Sequence, residues 1–310
     1  MPACPFKVKF IVNPAAASGK CGWEWGRVRQ ELEKVVGKVE SEFTSGPTIA
    51  TILTRRAIED HFEMIVAVGG DGTISEVVNG FFENDQPLNP EAILGSVPLG
   101  NGSDFVRSLG YPQEWEKAIQ KFADANTALM DLGRYRCLGT RGEELDRYFA
   151  NVADIGLGGE TAASVKGQSG LFGGKVKFFL GAVKALTKYK NRNITFRLDE
   201  EPAKEQTVSS IVVANGQFFG GGMWIAPHAK LDDGKLDVLV IDRMEAMEAY
   251  KKMQNYYNGS HLQDPAVKYR QVATVHMDSS EQVVLYVDGE PLGRLPCSFS
   301  VRPQSIRVKV

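Results

Sequence analysis

Three short loops carry the residue types that hold a phosphorylated ligand. Asn13-Pro14-Ala15-Ala16-Ala17-Ser18-Gly19-Lys20 closes one apolar run, Gly69-Gly70-Asp71-Gly72-Thr73 a second, and Pro98-Leu99-Gly100-Asn101-Gly102-Ser103-Asp104 a third. Glycines between a strand and a helix let backbone N–H groups approach an anion at the positive end of that helix. Asp71 has the chemistry to meet a metal ion or a water in that anion's shell. The plainer alternative is a tight turn whose aspartate caps the helix. Neither outer loop completes a standard nucleotide motif. The first has Pro14 at the leading glycine of a Walker A loop and Cys21 at its Ser/Thr, and the third has Phe105 at the last glycine of the dinucleotide fingerprint. Farther on, Asp288-Gly289-Glu290 leaves an apolar strand. A carboxylate there can take a hydroxyl proton during phosphoryl transfer, or simply belong to a solvated hairpin turn. Lys230-Leu231-Asp232-Asp233-Gly234-Lys235 suits a hard cation or an exposed β-turn.

The elements that must position these loops follow from periodicity. Lys7–Val12, Met64–Val68 and Ala92–Val97 are short apolar runs of the kind buried on both faces of a parallel sheet. Trp25, Val28, Leu32, Val35, Val36 and Val39 repeat at helical spacing, as do Ile74, Val77, Val78, Phe81 and Phe82. A further helix is predicted from about Pro112 to Ala123. Strand–helix alternation of this kind predicts a three-layer α/β domain over residues 1–132, its three loops lining one crevice at the carboxyl ends of the strands. Beyond it, strands are predicted at Arg147–Val152, Asn193–Leu198, Val208–Ala214, Leu236–Ile241, Gln282–Val287 and Ile306–Val310, with helices near Val176–Lys190 and Met244–Tyr257. That succession predicts an antiparallel β-sandwich domain over 133–299, with 300–310 able to return to the first domain.

Composition narrows the classes. The chain has 310 residues, 36 Lys+Arg against 38 Asp+Glu, 43% hydrophobic and 24% charged residues, and 32 Gly. At roughly 100–200 residues per domain this length suggests two domains, and the charged fraction argues against disorder. A net charge of −2 excludes an overall basic nucleic-acid binder. Cys4, Cys21, Cys137 and Cys297 form no CxxC pair, and the four histidines are equally scattered, so no zinc spacing or dense disulfide framework is present. The amino-terminal apolar run is too short for a signal peptide, and no stretch approaches the roughly 20 apolar residues of a membrane span. A cytoplasmic chain is expected.

VNPAAASGK, VGGDGTISEVVNG and VPLGNGSDFVRSLG resemble, in order and spacing, the diacylglycerol kinase catalytic-domain family. The bacterial soluble lipid kinases are the nearest group. The similarity continues through Pro227–Asp237 and Val287–Glu290 and so covers nearly the whole chain; GGDGT alone is shared with NAD kinases. This resemblance implies an active site in the interdomain cleft, with ATP held by Asn13, Gly69, Gly70, Asp71, Gly72, Thr73, Gly100, Asn101 and Gly102, and Thr44 on the adenosine side. It implies Glu290 as general base and Asp71 near Mg2+ and the transferred phosphate. It further implies a structural Mg2+ on the Asp233 carboxylate and the Lys230 and Lys235 carbonyls. In the third loop the family's G-T-G-N-D becomes Gly100-Asn101-Gly102-Ser103-Asp104, which keeps a hydrogen-bonding side chain at each changed position.

The acceptor implied is a lipid alcohol, diacylglycerol first, phosphorylated to phosphatidic acid. Two alternatives stay open: an NAD-kinase-like enzyme with a soluble acceptor, and a non-catalytic nucleotide- or lipid-binding protein. Phe172, Val176, Phe179, Val183 and Leu186 form one apolar face in a segment that also carries six basic residues from Lys175 to Arg192 and no acid. Such a helix suits a transient anionic membrane surface, and equally suits packing on the second domain. The glycine-rich 167–174 stretch before it has the composition of a lid. Phe218–Trp224 joins aromatics to three glycines, either an acyl-chain pocket or core aromatics beside a bulge. A peripheral membrane location and a homodimer formed through an exposed edge strand are the remaining expectations.

Overall fold

The computed structural model describes residues 4–156 and 190–310. The chain divides into two compact units, Met1–Leu132 with Pro303–Val310, and Gly133–Arg302. The apolar helix and lid segment read at 167–189 lie outside the described residues. Arg192, at the end of that basic stretch, begins a strand.

In the first unit, β1 (Val8–Val12), α1 (Lys20–Val36), β2 (Glu40–Phe43), α2 (Ile49–Glu59), β3 (Met64–Gly69) and α3 (Asp71–Gly80) follow in turn. A small hairpin of β4 (Phe82–Glu83) and β5 (Gln86–Pro87) leads to β6 (Ile93–Pro98), α4 (Asp104–Ser108) and α5 (Trp115–Ala118). The central strands are largely apolar because helices cover both faces: every residue of β3 and β6 is buried. The main sheet is parallel, in the order β6-β3-β1-β2, and the end of the last strand, β18 (Glu290–Lys309), adds itself in parallel beside β6. Cys21, Trp25, Val28 and Leu32 of α1 pack on one face with Trp115, Ile119 and Phe122. The helix predicted from Pro112 to Ala123 is instead a single α-turn continued by a 3-10 stretch, Ile119–Ala123. Its apolar contacts at Ile119 and Phe122 are three apart, the spacing at which a 3-10 helix superposes side chains. α2 has no side-chain cap of its own; the Glu76 carboxylate on α3 accepts the amides of Thr48 and Ala50 at its start.

The second unit is antiparallel. Its strands are β7 (Thr127–Gly139, entering from the first unit), β8 (Glu144–Phe149), β9 (Val152–Gly156), β10 (Arg192–Leu198), β11 (Lys204–Ala214), β12 (Phe218–Phe219), β13 (Met223–Trp224) and β14 (Leu236–Asp242). α6 (Ala246–Asn258), β15 (Val267–Val272), β16 (Thr274–Asp278), β17 (Val284–Val287) and the first part of β18 complete it. Pairings run β11-β9-β17-β18-β16-β10 and back to β11, so six strands close on themselves. Alternate residues point inward to a core containing Tyr135, Phe149, Ile155, Phe196, Leu285 and Phe299. The outward face of β9, β11 and β14 carries a second cluster, in which Val152, Val212 and Leu239 meet Ala249 of α6. The single strand predicted at Arg147–Val152 is two strands, broken at Ala150-Asn151. Among the described residues, no helix is long and apolar enough to cross a membrane.

Candidate active site

Parallel pairing brings the carboxyl ends of β1, β2, β3 and β6 to one edge of the first unit's sheet, and the predicted donor residues arrive there together. Asn13 ends β1 and binds across to the next loop: its backbone N–H donates to Val68 O (3.0 Å), and its Nδ2 donates to Thr73 Oγ1 (3.0 Å). Thr44, buried just beyond β2, donates its N–H to Val12 O (2.9 Å). Gly69 ends β3 and Gly70 precedes α3, whose first turn is Asp71, Gly72 and Thr73. The Leu99 N–H donates to Gly69 O (3.0 Å), fastening the third loop to the second.

The two loops touch backbone to backbone. A Cβ on Gly100 would stand 2.3 Å from Gly70 Cα, so only glycine fits. The Asp71 side chain reaches across to the third loop. Its carboxylate accepts the Phe105 N–H (3.0 Å) and the Asp104 N–H (3.3 Å) at the start of α4, and a Cβ on Gly102 would crowd Oδ2 at 2.8 Å. Asn101 is exposed at the loop tip. Ser103, buried, takes a left-handed backbone (φ 52°), a conformation that suits the asparagine of the family pattern better than serine. Cys21, at the Walker serine position, points away: its thiol faces Val68 O, and burial pushes it up to about 11. Lys20 is exposed and pairs with Glu24 at 3.6 Å.

In the second unit, Glu290 is half-buried as the first residue of β18, paired with Val287 across the Asp288-Gly289 turn. Asp288 is not the solvated turn residue that an isolated Asp-Gly suggests. It is 8% exposed, and its carboxylate accepts the amides of Asn151 (3.2 Å), Val152 (3.1 Å) and Ala150 (3.4 Å). Its own N–H donates to Val152 O (2.8 Å). Asn151 continues outward, its Nδ2 donating to Phe218 O at 2.6 Å. There β12 and β13 form a hairpin in which Phe218 and Trp224 stack, ring centroids 6.1 Å apart and planes at 10°.

The Lys230–Lys235 turn precedes β14. Asp233 Oδ1 accepts the Lys235 N–H (3.1 Å), and Gln271 Nε2 reaches Asp233 Oδ2 and Asp237 Oδ1, each at 3.4 Å. Asp237, which sequence reasoning passed over, is fully buried; Tyr269 also donates to its Oδ1, and its Oδ2 meets no partner among the described residues. Burial raises its carboxyl to about 7, Gln271 opposes this and Asp233 adds to it. Two neighbouring carboxylates and an orphaned buried oxygen form a donor set that fits a hard cation. Among the described residues no three His, Cys, Asp or Glu side chains cluster as metal ligands, so carbonyls must complete any such shell. The signal for Asp237 was one acid inside the apolar run Leu236–Ile241.

The chain thus joins a parallel α/β unit with three loops at one sheet edge to an antiparallel β unit with an acid at a strand start. The model of the diacylglycerol kinase catalytic domain matches residues 7–135, and that of the YegS C-terminal NAD kinase beta sandwich-like domain matches residues 152–310. The chain therefore carries a diacylglycerol kinase catalytic domain and, over more than half of its length, belongs to the family of the YegS C-terminal NAD kinase beta sandwich-like domain. It is 27% identical over 302 residues to a diacylglycerol kinase of Staphylococcus carnosus, covering 97% of this chain and 94% of that protein. A Bacillus subtilis diacylglycerol kinase is 27% identical over 293 residues, covering 94% and 92%. A putative diacylglycerol kinase from Bacillus anthracis shares the fold, with a TM-score of 0.76, 22% identity, and 98% and 97% of the two chains covered. An NAD kinase from Archaeoglobus fulgidus in complex with ATP gives a TM-score of 0.50 at 14% identity, with 98% and 93% covered.

Proposed function

We propose that this kinase uses ATP and Mg2+ to phosphorylate a lipid hydroxyl, diacylglycerol first, with Glu290 as general base. The observation that carries this reading is the convergence of Asn13, Gly69–Thr73 and Gly100–Gly102 in a chain whose family relatives are named diacylglycerol kinases over nearly their full lengths. The loop amides and the start of α3 bind the triphosphate. Asp71, fixed by two amides of the third loop, would help hold a divalent ion, which would supply charge neutralisation to the phosphates. Glu290 takes the proton of the acceptor hydroxyl as that oxygen forms its bond to the γ-phosphorus; the bond to the bridging oxygen breaks and ADP leaves. Asp233, Asp237 and the Lys230 and Lys235 carbonyls would hold a second, structural cation. The stacked Phe218 and Trp224 would line the acyl chains, with the protein visiting an anionic membrane surface to load them.

NAD-kinase-like transfer to a soluble acceptor has fold support alone, at 14% identity. Purified protein with labelled ATP, Mg2+ and a panel of dioleoylglycerol, sphingosine, ceramide and NAD decides between them. Transfer to dioleoylglycerol is expected, and labelling of NAD with none of any lipid would reverse the assignment. Glu290→Gln is expected to lower kcat by about 10²–10⁴-fold while ATP binding, followed by calorimetry, persists. Wild-type turnover in that variant would remove Glu290 as the base.

A further inference from the structure

The Asp288-Gly289 turn is held more firmly than a two-residue hairpin requires. Asp288 has a left-handed backbone (φ 48°) and Gly289 likewise (φ 79°), so the turn geometry by itself is met by glycine, asparagine or aspartate at position 288. An aspartate there adds a carboxylate, and that carboxylate is spent entirely inside the protein. It spans three consecutive amides, those of Ala150, Asn151 and Val152, from a segment 136 to 138 positions earlier in the chain. Ala150 and Asn151 form the break between β8 and β9, and Val152 opens β9.

The same segment is held from its other side. Asn215 Nδ2 donates to Ala150 O (2.8 Å), and the N–H groups of Asn215 and Gly216 donate to Asn151 O (2.8 and 2.9 Å). Ala150-Asn151 is thus a fixed bar, bonded to β11's end on one side and to Asp288 on the other. Two residues after Asp288 stands Glu290. A side chain that must meet a hydroxyl proton at hydrogen-bond distance needs its backbone located to a fraction of an ångström.

We infer that Asp288 is a positioning residue for Glu290: its carboxylate locks the turn to Ala150–Val152 and thereby aims the general base. This rests on the reading of Glu290 as base. Misplacing a reacting group by about 1 Å costs on the order of 10²-fold in rate. The role predicted is therefore in kcat, and not in nucleotide binding.

Asp288→Gly separates this role from that of a turn residue. Glycine adopts the left-handed conformation without strain and removes only the carboxylate. Steady-state kinetics with ATP and dioleoylglycerol in anionic phosphatidylglycerol vesicles should show kcat reduced at least about tenfold, KM for ATP unchanged, and the acid limb of the kcat–pH profile displaced as Glu290 changes surroundings. Asp288→Asn keeps one oxygen for Asn151 and Val152 but turns an NH2 group toward the Ala150 amide, so its kcat should fall between the two. Should D288G not fold, D288N carries the same comparison. Full turnover with an unshifted pH profile in a folded D288G, or in D288N where D288G does not fold, would overturn the inference while leaving Glu290 as base. Wild-type turnover in E290Q would sink the base reading itself, and this inference with it.

Discussion

His261 is buried with both ring nitrogens against carbonyl oxygens: Nε2 lies 2.8 Å from Ile225 O and Nδ1 3.2 Å from Asn255 O. A neutral imidazole donates from one nitrogen only, so one carbonyl always faces a lone pair unless the ring is protonated. Burial pulls the pKa below its usual 6.5, and the two carbonyls oppose that pull without overcoming it. The ring also stacks on Tyr256, centroids 4.8 Å apart, which leaves little room for water. A base whose folded-state pKa lies below its unfolded value is more protonated when unfolded. Its contribution to stability is therefore complete above pH 6.5 and is lost as the pH falls from there toward the folded pKa. NMR titration of the His261 ring should give a midpoint below 6.5, and thermal midpoints between pH 7 and 5 should fall less in His261→Phe than in the parent chain. A ring midpoint above 6.5 would mean that the paired carbonyls outweigh burial.

The loop elements owe their arrangement to contacts between backbones. Gly100 and Gly70 face each other closely enough that a methyl group on Gly100 would sit 2.9 Å from Gly70 N as well as against its Cα. Gly100→Ala must push Pro98–Asp104 away from Gly69–Thr73, breaking the Leu99–Gly69 bond and the hold of Asp104 and Phe105 on Asp71. Overpacking of this kind costs about 1–3 kcal/mol. Calorimetry with ATP should show affinity lost in Gly100→Ala and kept in Gly46→Ala, whose added methyl meets open space; equal affinities would show that the loops part freely. Loops of this sort were legible because each is spelled within eight residues at a strand end. What joins them was not: Asp71 reaches a partner 34 positions away and Asp288 one 138 away, and neither distance leaves a local pattern. Edge strands escaped for a related reason. β2 and β15 are largely polar: among the described residues each ends its sheet, and little of either is buried.

At the scale of the whole chain, the first unit is not finished by its first 132 residues. Pro303–Val310 belongs to it, with Arg307 and Val308 in parallel register beside Ile93 and Leu94. Polar bonds fasten this returning end. The Gln304 N–H donates to the buried Asp131 carboxylate at 2.7 Å, and the fully buried Lys309 ammonium donates to Asp124 Oδ1 (2.7 Å), Asn126 O (2.7 Å) and Val310 O (3.0 Å). Apolar periodicity marks Ile306–Val310 as a strand, but a lysine that spends its charge on partners up to 185 positions earlier reads in sequence as a solvated one. Lys309→Met keeps the stem and loses the donors. Asp124 is half exposed and finds water, so the cost falls mainly on the carbonyls, about 1.5–3 kcal/mol for bonds from a charged group. Urea unfolding of the full chain, followed by the first unit's Trp25 and Trp115 and separately by Trp224 of the second, should show an earlier midpoint for the first unit only. Coincident, unshifted transitions would mean that the returning strand is held by its apolar face alone.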